Sequence, residues 1–194
     1  MQKVFVLSLF RTGTQSTQHF LEQLGYKTAH WAGSYIDQDS VQNLPEEEIL
    51  ERLYAIENQF DAFCDTPYSV MYEHFDKTYP GSKFILIVRD TKDWIKSIRR
   101  IFDTFPRDEF GAYDKIVFWK YFKNKPMHID ELSDKDLEDM YLEHAYSVIK
   151  YFGGREDLLV CHLSDEDKAE RIATFLDKTN IPEFGTIDFI AVGE

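Results

Sequence analysis

Two cysteines in 194 residues exclude a fold built on disulfides. Cys64 and Cys161 each lie in an apolar run and read as reduced, buried small side chains. No apolar stretch approaches the roughly 20 residues of a membrane-crossing helix. The chain enters its first strand without a basic and apolar leader, so a soluble cytoplasmic protein is expected. Basic residues are outnumbered, 22 against 35 acidic, for a formal net charge of -13. That balance disfavours a nucleic acid or anionic membrane held by charge, and it requires any anion site to be a local cluster of arginines. Histidines and carboxylates never fall at a metal-ligand spacing such as HExxH, and there are no repeats or low-complexity tracts. The length suits one compact domain, 1–194, with a core of useful size.

What is present begins at Lys3. Lys3 to Leu9 is a short apolar run that suits a strand buried on both faces of a parallel sheet. Arg11, Thr12, Gly13, Thr14, Gln15, Ser16 and Thr17 follow as a small-residue turn, and Phe20, Leu21 and Leu24 then recur at helical spacing. A helix N-terminus at such a turn gathers unpaired N–H groups and the positive end of the helix dipole, which favours an anion. An ordinary capped turn is the competing reading. The nucleotide pattern GxxxxGK[ST] is not met: aligned on Gly13, Ser8 replaces the first glycine, Thr14 the lysine and Gln15 the magnesium-binding hydroxyl. ATP-driven phosphoryl transfer thereby loses its main electrostatic parts, and the basic group of the loop is Arg11.

A second element has the same form. KFILIV, from Lys83 to Val88, is a buried-strand run ending in Arg89 and Asp90, and the helix after it carries Trp94, Ile95, Ile98, Ile101 and Phe102 on one apolar face. Arg89 therefore stands at the carboxyl edge of a strand, where open α/β sheets bind ligands. Ser97 lies on the polar side of that helix and can share an anion with Arg89; a salt-bridged arginine and a solvated serine are the alternatives. DAFCDTP forms a third short strand, Ala62 to Cys64, with Asp65 at its edge. Further strands are expected over Tyr26 to Ala29 and Asp157 to Cys161, with helices over Pro45 to Glu57, around Tyr141 to Phe152 with Ile149 inward, and through Ala169 to Leu176. The acidic stretches PEEEILER and SDKDLED read as solvated helix starts. Strands alternating with helices predict an α/β fold of three layers, αβα, around a central parallel sheet.

FRTGTQST followed by PGSKFILIVRDTKDWIKS resembles the sulfotransferases that use 3′-phosphoadenosine 5′-phosphosulfate (PAPS), in particular the branch with a PRTGT-like first loop. The resemblance covers Lys3 to about Phe102, with a weaker tail from Leu158 to Pro182, and implies a P-loop NTPase-like sulfotransferase architecture. It implies that Arg11, Thr12, Gly13, Thr14, Gln15 and Ser16 hold the 5′-phosphosulfate, and that Arg89 and Ser97 hold the 3′-phosphate. Arg11 occupies a place where many relatives have lysine. It can stabilise the departing oxygen electrostatically but cannot donate a proton. Asp65, two residues before Pro67, falls where relatives often carry the catalytic base, commonly a histidine. A solvated carboxylate is a poor base for an alcohol, so Asp65 either gains basicity from its surroundings or serves as a cap or as a partner of Arg89 or Arg11. His30 is the rival base; His19 lies inside the first helix, and His74, His128, His144 and His162 read as surface or packing residues. Two family features are missing: an aromatic after the loop to stack adenine, and a glycine-rich carboxyl-terminal element, which FGTIDFIAVGE does not match.

The expected reaction moves a sulfuryl group from PAPS to a hydroxyl or amine of a small-molecule or glycan acceptor, releasing adenosine 3′,5′-bisphosphate. A nucleotide kinase-like phosphotransferase, recruiting Asp65 or Asp90 to magnesium, and a non-catalytic sulfonucleotide-binding module are the alternatives. The aromatic-rich stretch 102–127 is either a cap on the core or a lid over a partly apolar acceptor.

Overall fold

The computed structural model describes residues 2–37, 39–104, 112–121 and 131–185, without the side chains of 104, 112, 114, 118 and 119. Five strands, β1 (Val4–Val6), β2 (Thr28–His30), β3 (Ala62–Cys64), β4 (Lys83–Val88) and β5 (Leu158–His162), form one sheet in the order β2-β3-β1-β4-β5. Every neighbouring pair is parallel. All strand carboxyl ends therefore share one edge, and the loops after β1, β2, β3 and β4 meet there.

The helices are α1 (Thr14–Gln23), α2 (Glu46–Ile56), α3 (Tyr72–Thr78), α4 (Thr91–Thr104), α5 (Ala112–Tyr121), α6 (Asp134–Phe152) and α7 (Lys168–Phe175). Strand alternation divides the core into two clusters on opposite faces of the sheet. Val4, Val6, Ile85 and Ile87 pack with Phe20 and Leu21 of α1 and with Ile172 and Ala173 of α7. Phe5, Leu7, Phe63 and Phe84 face the other way, toward Leu53 of α2, Phe75 of α3, Trp94 of α4 and Val148 of α6. Phe5 is fully buried and stacks on Phe75 with centroids 4.0 Å apart, with Phe63 and Phe84 beside it. Burial of such a ring contributes about 1.5–3 kcal/mol.

The three layers, parallel sheet and α/β class match the expectation, and the boundaries shift for identifiable reasons. β2 starts at Thr28, later than Tyr26, because the Lys27 N–H turns to the Asp61 carboxylate and pairing with β3 opens at Thr28 against Ala62. α6 starts at Asp134, where Ser133 and Asp136 form a reciprocal capping box, and Gly153 ends it at φ 54°. Ile149 is not inward: Val148 and Phe152 take the core stripe, and one residue's rotation leaves Ile149 47% exposed. In the stretch 102–127, α5 buries Tyr113, Ile116 and Val117, and the Tyr113 hydroxyl donates to the Ile36 carbonyl at 3.0 Å. Phe105, Phe110, Phe122, Lys123 and Lys125 lie outside the described residues, as do the side chains of Phe118 and Trp119 and all but the start of FGTIDFIAVGE.

Of the surface and packing readings of His144, the structure shows the second. Its Nε2 pairs with the Leu7 carbonyl and its Nδ1 with the Tyr121 hydroxyl, each at 2.6 Å, joining α6 to β1 and α5. Burial lowers its pKa from 6.5 to about 4. The folded pKa lies below the unfolded one, so the unfolded chain binds the extra proton between these values. Stability should therefore fall by about 3 kcal/mol as pH drops from 6.5 to 4. Urea titrations across this range should show the loss, and His144→Gln should flatten it. An unchanged pH slope in the variant would assign the loss elsewhere.

Candidate active site

The loop after β1 is built to turn sharply. Leu7 N–H still bonds the Ile85 carbonyl, and Ser8 Oγ accepts the Ile87 N–H at 2.7 Å, so the residue at the first-glycine place is used to bridge β1 and β4. Thr12 Oγ1 donates to the Leu9 carbonyl at 2.5 Å. Arg11 (φ 67°) and Gly13 (φ 83°) both adopt left-handed backbone, which reverses the chain into α1. Gly13 is the N-cap and offers no side chain, so the first turn of α1 has no side-chain cap. A Cβ on Gly13 would stand 2.8 Å from Leu163 Cδ1, which closes the loop from β5.

Arg11, Ser97 and Arg89 come together. Arg11 Nε donates to Ser97 Oγ at 3.0 Å, and Arg89 Nη1 donates to the Arg11 carbonyl at 2.8 Å. The Tyr141 hydroxyl accepts the Arg89 N–H at 2.7 Å and donates to the Arg89 carbonyl at 3.1 Å, which fixes the strand end. Trp94 Nε1 donates to the Phe10 carbonyl at 2.8 Å and ties α4 to the loop. The Arg11 pKa is lowered by burial first and then by Arg100, partly offset by Asp65, with Arg89 lowering it further. Arg100 was missed in the sequence reading. Its signal was position, three residues after Ser97 and hence on a neighbouring part of the α4 surface. Arg99 instead bonds the Leu132 carbonyl and Asp134 of α6.

Asp65, at φ 71°, belongs to a second cluster. Its Oδ2 accepts the Thr14 hydroxyl at 2.6 Å and lies 3.1 Å from His30 Nε2, while Oδ1 accepts the Thr66 N–H at 2.7 Å. His30 Nε2 is also 3.2 Å from Thr14 Oγ1. Sheet order explains the grouping: β2, β3 and β1 are adjacent, and His30, Asp65 and Thr14 stand at or just beyond their carboxyl ends. Burial pushes the Asp65 pKa up, but the His30 charge and the hydrogen bonds from His30, Thr14 and Thr66 outweigh it and hold the carboxyl at about 2. The side-chain partners of Asp65 are thus His30 and Thr14, where a base, a helix cap and a partner of Arg11 or Arg89 had stood as alternatives. Rather than being made more basic, its carboxylate is fixed in the ionised form.

The other histidines are otherwise engaged. His19 contacts Gln23, His74 pairs with Glu57 at 2.8 Å, His162 contacts Ser164, and His128 lies outside the described residues. Asp90 caps α4 by accepting the Lys92 and Asp93 N–H groups at 2.9 and 3.2 Å. Thr12 Oγ1 is taken by its own turn, Gln15 is partly exposed and Ser16 is buried on α1. A cleft of about 510 Å³ opens between α2, α3 and α5, lined by Leu50, Tyr54, Met71, His74 and Lys120 among others, and by none of the loop residues. Among the described residues no group of three or more histidine, cysteine or acidic side chains is arranged for a metal, and no helix is long and apolar enough to cross a membrane.

Residues 3–186 match the family model described as "Sulfotransferase domain", and the chain belongs to that family. The fold is similar to a sulfotransferase from Alicyclobacillus acidocaldarius (TM-score 0.56, 14% identity, 98% of this chain and 87% of that one). It is also similar to mouse sulfotransferase SULT7A1, solved in complex with PAP (TM-score 0.51, 14% identity, 94% of this chain and 60% of that one). A shikimate kinase from Bacteroides thetaiotaomicron shares the fold as well (TM-score 0.50, 11% identity, 91% of this chain and 98% of that one). No curated protein sequence matches the chain.

The loop geometry makes a direct prediction. Gly13→Ala should destabilise the protein by about 1–3 kcal/mol, from left-handed backbone and the Leu163 contact together. Adding Leu163→Ala should ease the crowding at Gly13, so that the double variant is more stable than the sum of the two single losses. Urea midpoints of the four proteins test this; strict additivity would show that Leu163 does not close the loop.

Proposed function

We propose that this protein transfers a sulfuryl group from PAPS to a hydroxyl or amine of a small-molecule or glycan acceptor. The observation that carries this reading is the convergence of Arg11, Ser97 and Arg89 beside an uncapped helix N-terminus, in a chain of the sulfotransferase-domain family. The PAP bound to the mouse relative supports the choice of donor. PAPS supplies the sulfuryl group and leaves as adenosine 3′,5′-bisphosphate.

The peptide N–H groups of Thr12, Gly13, Thr14, Gln15 and Ser16 and the guanidinium of Arg11 serve the 5′-phosphosulfate end. The electron pair of the breaking S–O bond stays on the phosphate oxygen, and Arg11 stabilises that charge without giving up a proton. Arg89 and Ser97 serve the 3′-phosphate. Arg89 has five N–H donors, and the Arg11 carbonyl takes one of them. The Ser97 hydroxyl accepts from Arg11 and keeps its own proton to donate.

The acceptor's proton needs a base. Asp65, held near pKa 2, is too weak to take it alone. We assign proton acceptance to the Asp65–His30 pair: His30 takes the proton, and the Asp65 carboxylate stabilises the imidazolium. Buried Tyr113, Ile116 and Val117 of α5 accord with the cap reading of that stretch. The free, buried thiols of Cys64 and Cys161 accord with a cytoplasmic setting.

A nucleotide kinase-like reading draws on the fold shared with shikimate kinase, which does not discriminate between the two chemistries. The loop favours the sulfotransferase reading, because it lacks the lysine and because both carboxylates considered for magnesium are engaged, Asp65 with His30 and Thr14 and Asp90 at the start of α4. A binding module without turnover would keep the arginine cluster and leave labelled PAPS intact with every acceptor pool.

Thermal shift should separate these readings. Adenosine 3′,5′-bisphosphate should stabilise the protein strongly, AMP weakly, and ATP with magnesium no better than AMP. A preference for ATP with magnesium would contradict the assignment. Arg89→Ala should weaken bisphosphate binding by about 30-fold, as expected for a lost charge-assisted contact of about 2 kcal/mol, while AMP affinity changes by less than about threefold. Equal losses for the two ligands would remove Arg89 from the 3′-phosphate.

A further inference from the structure

Thr14 stands in the loop that would receive the donor, yet its side chain is directed elsewhere. The residue is buried, and its hydroxyl donates to Asp65 Oδ2 at 2.6 Å. A hydroxyl has one proton, so while that bond holds, Thr14 Oγ1 presents only lone pairs to an approaching anion. Toward a phosphate it can contribute its backbone N–H, but not its side chain.

The carboxylate it engages is fully served. Oδ1 takes the Thr66 N–H, and Oδ2 faces both Thr14 Oγ1 and His30 Nε2. With Nε2 3.1 Å from Oδ2 and 3.2 Å from Thr14 Oγ1, two acceptors favour the proton on Nε2. In the neutral ring the lone pair is then on Nδ1. Tyr35 supports the same strand end, its hydroxyl accepting the His30 backbone N–H at 3.3 Å and donating to the Thr28 carbonyl at 3.3 Å.

We propose that the Thr14 hydroxyl is a positioning group for the His30–Asp65 pair rather than a phosphate ligand, fixing the carboxylate and the imidazole tautomer from within the donor loop. This rests on the sulfotransferase reading for its catalytic consequence, but its structural part stands apart from it. The same turn thus offers backbone donors to the anion on one side and holds the base's partner on the other. Since Thr14 follows Gly13 directly, displacement of the loop and misalignment of His30 are coupled: the base is in register only when the loop is.

The test uses Thr14→Val, which keeps the side-chain shape and removes the hydroxyl, and Thr14→Ser, which keeps the hydroxyl. Nitrogen-15 NMR of the His30 ring in the full chain reads the tautomer without any turnover. The wild type and Thr14→Ser should show predominantly the Nε2–H form; in Thr14→Val, where Asp65 is the one acceptor left and has lost the hydroxyl that holds it, the share of the Nδ1–H form should rise measurably. In PAPS turnover, Thr14→Val should lower kcat by about 10–100-fold with donor KM within about threefold, the pattern of a lost orienting contact. Thr14→Ser should stay within about threefold of wild type in kcat. A Thr14→Val protein with wild-type tautomers and a donor KM raised tenfold or more would overturn the proposal and make the hydroxyl a phosphate ligand. Wild-type tautomers with wild-type kinetics would overturn it too. If the wild type neither binds adenosine 3′,5′-bisphosphate nor turns over PAPS, the sulfotransferase reading fails, while the NMR comparison still decides the role of Thr14.

Discussion

The sharp turn after β1 is the constraint on which the rest of the site depends. Between Leu7, still hydrogen-bonded in the sheet, and Thr14, already in α1, the chain must reverse onto the face of the sheet, and it does so through left-handed backbone at Arg11 and Gly13. Left-handed backbone costs a residue with a Cβ on the order of 1 kcal/mol, and the strain at Arg11 is held by its surroundings. Its carbonyl accepts from Arg89 and its guanidinium donates to Ser97. The residue that carries the loop's charge is therefore also a structural link between β1, β4 and α4. Phe10 strengthens the link from the preceding position, its carbonyl accepting from Trp94.

The charge distribution accords with the proposed anion site. A chain with net charge -13 repels anions at long range, and bulk attraction cannot bring a sulfonucleotide to it. The local field is different, since Arg89 and Arg100 both lie within electrostatic range of Arg11. Like charges so placed raise one another's energy, and an anion with two phosphates relieves that repulsion. Asp65 sits near enough to Arg11 to offset part of the repulsion, while its own carboxylate is committed to His30 and Thr14. The arginines and the His30–Asp65 pair thus lie on two sides of the loop, and the proposed reaction assigns negative charge to the first and a proton to the second.

The parallel sheet was legible in the sequence because its strands are short apolar runs ended by turn residues, and because helical periodicity follows β1 and β4. Arg89 and Ser97 were legible for the same reason: a strand end and the polar side of a helix are positions that period and register define. Contacts across strands were less so. That Asp65 meets His30 follows from β3 lying beside β2, and that it meets Thr14 follows from β3 lying beside β1, and strand order is not written in local pattern. The sequence accordingly left Asp65 open as a base, a cap or a partner of Arg11 or Arg89, and gave no sign that the fold would lower the pKa that a base role needs raised. The contacts of His144, read as a surface or packing residue, were not legible for a related reason. On a helix surface pattern it is one polar residue among many, and only the approach of β1 and α5 makes it a buried hub.

The most direct measurement is a crystal structure of the protein with adenosine 3′,5′-bisphosphate bound. The account predicts the 5′-phosphate on the peptide N–H groups at the start of α1 beside Arg11, the 3′-phosphate within hydrogen-bond distance of Arg89 and Ser97, and Thr14 Oγ1 still on Asp65. A bisphosphate bound away from the β1–α1 loop, or with neither phosphate reaching Arg89 and Ser97, would contradict it.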